Sequence, residues 1–106
     1  MNNIDKNYNT TFENIKHIDE NGTEYWYARE LQIVLDYREW RKFEGVIQKS
    51  KKACENSSIS TFEHFVGADK TIQMPKGATK KVKDYKLTRY ACYLIAQNGD
   101  SRKEVI

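Results

Sequence analysis

Residues 87–100 read LTRYACYLIAQNGD, a segment whose start and stop are both written into it. Thr88 can accept a backbone N–H and cap a helix. Gly99 can supply the left-handed residue that ends one. Between them Leu87, Ala91, Leu94 and Ile95 recur at helical spacing and give one apolar face. The pattern upstream is different. Residues 69–74 and 81–87 read as strands, with Pro75, Lys76 and Gly77 punctuating the loop between them. A hairpin running into a helix makes this a mixed α+β chain.

Farther upstream, residues 38–55 form the clearest element. Trp40, Phe43, Ile47, Ser50 and Cys54 fall alternately three and four apart, an apolar or small stripe for a core. At about 100° per residue, Arg38, Arg41, Lys42, Gly45, Lys49 and Lys52 fall on the opposite side. Ala28, Leu31, Val34 and Leu35 share one face of a preceding helix over 28–37. Asn56–Ser60 is a polar connection, and Ser60 to Glu63 has capping-box spacing for a short helical turn reaching Phe65. Asn21-Gly22 is a hairpin turn signal. It joins a short strand within 12–19, suggested by Ile15 and Ile18, to a return strand at Tyr25, Trp26 and Tyr27. Residues 1–11 are polar and aperiodic, a loose tail. The fold expected is one small α+β domain over 12–106. It contains a β-hairpin, two helices, a short helical turn, a second basic and wing-like β-hairpin, and a C-terminal helix. Asp100 looks like the cap of another helix that the chain barely begins before Ile106, which reads as a truncation ahead of a longer C-terminal region.

The bulk composition narrows the function classes. The chain has 106 residues, is 39% apolar and 31% charged, and carries a formal net charge of +3, values typical of a soluble domain. No apolar run approaches membrane-spanning length, and the N-terminus lacks the basic and apolar regions of a secretory signal. Cys54 and Cys92 lie on apolar helix faces, as buried free thiols in a reducing cytoplasm do. His17, Cys54, His64 and Cys92 lack paired metal-ligand spacing. The phosphate-loop, dinucleotide and serine-nucleophile motifs are missing. Glu63-His64 near Glu55 has no nucleophile to serve. The expectation is a non-enzyme without metal or cofactor. Charge is unevenly distributed: three basic and seven acidic residues over 1–37, six and three over 38–55, seven and two over 68–89. Such asymmetry suggests a surface that meets an anion, most often nucleic acid.

Several motifs carry a resemblance. Trp26 to Leu31 reads W-x-A-R-x-L, followed by Leu35 and Tyr37. Lys51 to Ser57 reads K-x-A-C-E-N-S, His64-Phe65 follows, and Lys83 to Asp100 reads K-D-Y-x-L-T-R-Y-A-C-Y-L-I-A-Q-N-G-D. On these residues the chain resembles, over roughly 12–106, the N-terminal domain of the DNA-damage-inducible D family. The first pattern is also similar to the BRO N-terminal domain and to phage antirepressors. The resemblance implies a bacterial α+β domain tied to DNA binding or to the SOS response, in a family whose members are usually longer. Tyr27 stands where a small polar residue often precedes the Ala28-Arg29 pair. Tyrosine caps poorly, which leaves the helix start open.

The expected function is therefore DNA binding, chiefly to phosphates, with Arg38, Arg41, Lys42, Lys49 and Lys52 of the helix as candidates. Gly45 would allow close backbone approach. Lys76, Lys80, Lys81 and Lys83 of the hairpin join them, with Lys70 beside them and Arg89 at the next helix start. Helices 28–37 and 38–55 can form a helix-turn-helix with the hairpin as its wing. The plainer readings are a solvated helix face and lysines that guard strand edges. A rival function is a protein-interaction module docking on a recombination or repair protein. Gln48 alone edges the basic stripe as a base-reading amide, which favours backbone contacts. Arg29 is expected to pair with a carboxylate such as Glu30 or Glu24. Trp26, Trp40 and Tyr93 are expected in the core, and Tyr37 and Tyr85 are the candidates for base stacking.

Overall fold

The computed structural model describes residues 11–99. The expected tail, apart from its last residue, and the helix after Asp100 lie outside them. In chain order the elements are β1 (His17–Ile18), β2 (Glu24–Tyr27), α1 (Ala28–Val34), α2 (Trp40–Asn56), β3 (Phe65–Gln73), β4 (Thr79–Leu87) and α3 (Arg89–Asn98). The strands form one antiparallel sheet in the order β1-β2-β4-β3. This is the α+β domain the sequence led us to expect. Leu87 is central: it pairs with Trp26 on one side and Phe65 on the other. Around it Trp26, Leu31, Leu35, Phe43, Ile47 and Ile95 are completely or almost completely buried.

The expected strand within 12–19 shrinks to two residues, and a helical turn occupies 11–14. Tertiary contact overrides local preference there. The Phe12 ring stacks on Trp26 at 4.7 Å, and the Trp26 indole N–H donates to the Phe12 carbonyl at 3.0 Å. The Asn21-Gly22 turn holds. Gly22 takes φ 82°, and the Asp19 carboxylate accepts the Asn21 and Thr23 amides at 2.8 and 2.9 Å.

Helix α1 is shorter than the expected 28–37, because Asp36 adopts φ 62° and breaks it. Its start is capped from far away. Tyr27 makes no side-chain cap, but buried Asp84 of β4 accepts the Arg29 amide at 2.9 Å and the Tyr85 amide at 2.8 Å. Helix α2 begins at Trp40, so Arg38 precedes it, and Phe43, Ile47, Ser50 and Cys54 are its buried stripe. The expected helical turn after Ser60 is one hydrogen-bonded turn without a helix: the His64 and Phe65 amides both reach the Thr61 carbonyl.

Thr88 caps α3 as expected, accepting the Ala91 amide at 3.1 Å. Gly99 does not end it in the left-handed region, since its φ is −99°. The glycine serves close packing instead: a β-carbon there would collide with the Tyr37 hydroxyl and crowd the Ile95 carbonyl. Tyr93, expected in the core, is half exposed on the outer side of α3. Trp26 is buried as expected, while Trp40 is only partly so.

Candidate nucleic-acid interface

Arg41, Lys42, Gly45, Gln48, Lys49 and Lys52 are all exposed on one face of α2, opposite its buried stripe. At 1.5 Å per residue, Arg41 to Lys52 spans about 16 Å. Among the described residues no carboxylate lies within ion-pair distance of Arg38, Arg41, Lys49 or Lys52; Lys42 meets Glu39 at 3.5 Å, both well exposed. An exposed pair of that kind contributes little. Glu44, the acid in the middle of the helix, is turned away from this face. Its carboxylate takes the Lys83 ammonium at 2.8 Å and the Tyr85 hydroxyl at 3.0 Å, and the Gln48 amide donates to the same hydroxyl at 3.1 Å. Among the described residues, nothing lies within 4 Å of where a β-carbon on Gly45 would sit. No packing inside the fold requires glycine there, although it weakens a helix interior by about 1 kcal/mol relative to alanine.

The β3–β4 hairpin is an arm of two nine-residue strands. Paired residues share a face. The Asp69/Lys83, Thr71/Lys81 and Gln73/Thr79 pairs share the face of Tyr85, which is the α2 side. Lys70/Val82 and Ile72/Lys80 share the other. The hairpin cations are thus divided between two faces, with Lys76 at the tip, where Lys76 and Gly77 both take positive φ. Among the described residues Lys70, Lys76, Lys80 and Lys81 have no ion-pair partner.

Two other sequence candidates, both partly exposed, are held by carboxylates of the fold. Lys83 is held by Glu44, which raises the ammonium pKa and lowers that of the carboxylate. Arg89 meets Glu24 at 2.8 Å and Glu13 at 3.1 Å. It lowers both acids' pKa values, and its own is pushed up by the same bonds. Among the described residues, Arg29 does not pair with a carboxylate as expected. Its Nε donates to the Lys83 carbonyl at 2.8 Å, and its guanidinium lies 3.9 Å from the Trp40 ring centre, a planar cation on an indole face. Tyr85 is nearly buried and Tyr37 packs on Phe43 at 5.0 Å, so neither ring is presented for base stacking.

Sequence reasoning missed Asp84, Glu44 and Tyr85 as a connected set. The signal was an acid-aromatic dipeptide, Asp84-Tyr85, inside a basic strand. Both thiols are buried, and burial raises the pKa of each. Among the described residues no group of three or more His, Cys, Asp or Glu is placed to hold a metal, and no helix is long and apolar enough to cross a membrane. An open cleft of about 220 Å³ is lined by Tyr27, Glu30, Asp69, Lys70 and Asp84. Asp84 caps α1 there and Glu30 is bonded to His17 at 2.7 Å, which commits both acids to the fold.

Residues 14–106 match the BRO family, N-terminal domain. The chain is also similar to DNA damage-inducible protein D of Escherichia coli (strain K12): 45% identical over 95 residues, covering 90% of this chain and 35% of that protein. It therefore spans about a third of that relative's length. No solved structure matches.

Proposed function

The chain belongs to the BRO family through its N-terminal domain, and on that premise we propose that it is the DNA-binding domain of a DNA-damage-response protein, gripping the phosphate backbone with the exposed face of α2. The observation that carries this reading is the acid-free line from Arg41 to Lys52, interrupted only by the bare backbone of Gly45 and by Gln48 at its edge. Cations spaced along one helix face suit a polyanion of regular spacing, and arginine binds phosphate in a bidentate fork. Arg38, exposed just ahead of the helix, adds a cation near its start. The name of the Escherichia coli relative supports the link to DNA damage.

The arm serves as a wing. Cations on both faces of a β-ribbon, with one more at its tip, suit insertion into a groove, where phosphates lie on either side. Lys81 would face one strand, Lys70 and Lys80 the other, and Lys76 the floor or rim. Lys83 and Arg89 belong to the fold and take no phosphate. Base reading is slight, because Gln48 already donates to Tyr85. In this reading the domain binds rather than catalyses, and it works in the cytoplasm beside the chromosome.

Titration of labelled single- and double-stranded oligonucleotides of mixed sequence, at low and at moderate salt, tests the assignment. Binding at low salt falls steeply as salt rises. The pair Arg41→Glu with Lys49→Glu lowers affinity at least about tenfold, the equivalent of 1.4 kcal/mol. No binding to either form removes DNA as the partner and leaves an acidic protein surface as the alternative; binding that is indifferent to the double reversal removes the α2 face from the interface.

A further inference from the structure

An acid on the helix that carries the proposed DNA face is unfavourable on electrostatic grounds, yet Glu44 makes two polar contacts to the arm. It binds the Lys83 ammonium and the Tyr85 hydroxyl, and Gln48 one turn on binds the same hydroxyl. At the same point on β4, Arg29 donates to the Lys83 carbonyl while lying on Trp40, the first residue of α2. The Trp40 and Tyr85 rings are 6.3 Å apart. Beyond Lys83 the arm is chiefly in contact with itself: from Asp69 to Lys81 only Ile72 is partly buried. The strand residues from Thr79 to Lys83 place the tip about 15 Å past these ties. A 20° swing at the base would move the tip by about 5 Å, close to the width of the minor groove.

We propose that Glu44 is a positioning residue for nucleic acid: with Lys83, Tyr85 and Gln48 it latches the arm to α2 at the separation where both reach the phosphates of one DNA molecule. The proposal rests on the DNA-binding reading and goes beyond it, because bare electrostatics gives the opposite sign. Removing an acid next to a cationic face should tighten DNA binding; removing a latch should weaken it.

The test uses the full chain and mixed-sequence duplex DNA, followed by fluorescence anisotropy. Glu44→Gln, which makes the domain more positive, and Tyr85→Phe, which leaves its charge unchanged, each weaken binding about fivefold or more. The exchange of Glu44→Lys with Lys83→Glu rebuilds the pair with the same net charge and restores most of the affinity. Spin labels at Ala78→Cys and Glu55→Cys report the arm–helix distance; the buried Cys54 and Cys92 thiols leave the introduced cysteines to react. The distance distribution is narrow in the parent and broad in Glu44→Gln. A parent that binds while Glu44→Gln binds equally or more tightly, or an unchanged distribution, overturns the latch alone. A parent that does not bind removes the DNA reading, and the latch's purpose with it.

Discussion

Asp84 resolves a difficulty that Tyr27 creates. A tyrosine ahead of Ala28-Arg29 leaves the first turn of α1 uncapped, and that much is visible in the sequence. The carboxylate that closes it comes from a strand 55 residues later, through a bond no local pattern encodes. Asp84→Ala leaves the part-buried Arg29 amide and the buried Tyr85 amide without their acceptor and destabilises the domain by about 2 kcal/mol, measurable as a lower midpoint in urea. Asp84→Asn, which keeps one acceptor oxygen, loses less. Gly45 gives the opposite kind of evidence. With open space around it, Gly45→Ala stabilises the fold by up to about 1 kcal/mol and weakens DNA binding, because a methyl group then stands between backbone and phosphate. A variant with raised thermal stability and unaltered DNA affinity would show that Gly45 has no part in the interface. Gly99 could be misread from sequence for a related reason: glycine marks freedom from a β-carbon, and only the packing of Tyr37 reveals that space rather than φ is what it supplies.

At the scale of elements, α2 was legible and the arm only in part. The 3.6-residue period separates the Phe43–Cys54 stripe from the cations without knowledge of the fold. The arm's two strands could be seen, but the face each lysine takes depends on register, and a slip of one residue exchanges the faces. Phe65 to Ala68 also lacks the alternation that would have extended β3 to its true start. The strand expected within 12–19 exists but is shorter, and the helical turn ahead of it has its source in Phe12, whose place under Trp26 is a long-range contact. Within α2 a graded test follows. Lys49→Ala and Lys52→Ala each weaken DNA binding several-fold, while Lys51→Ala, on the flank and partly buried, leaves it nearly unchanged. Equal losses from all three would mean a diffuse positive field rather than an aligned face.

Across the whole molecule, the acidic first third and the basic remainder are not simply opposed. Part of the acid is spent internally. Glu13 and Glu24 clamp Arg89 and lie 3.5 and 3.8 Å from Lys16, and Glu30 binds His17. Among the described residues, the α2 face (apart from the exposed Lys42–Glu39 pair) and the arm tip have no ion-pair partner. Arg89 lowers the pKa of both glutamates below their ordinary 4.5. Their contribution to stability is therefore complete above about pH 4.5 and is lost as pH falls through the lower folded values. Melting temperatures followed from about pH 6 down to about pH 3 fall in the parent, and Arg89→Met flattens that acid limb. An unchanged limb would mean the clamp is formed equally in the unfolded chain. The charge asymmetry was plain in the sequence; which charges cancel was not, because the pairs join residues 65 and 76 positions apart.

The dependence of DNA affinity on salt tests the α2 face most directly. Plotted as log K against log salt concentration, phosphate binding by four or more cations gives a slope of about −4 or steeper, and Lys49→Ala makes it shallower by about 0.9. A slope near zero, or one that Lys49→Ala leaves untouched, would contradict the assignment of that face to the DNA backbone.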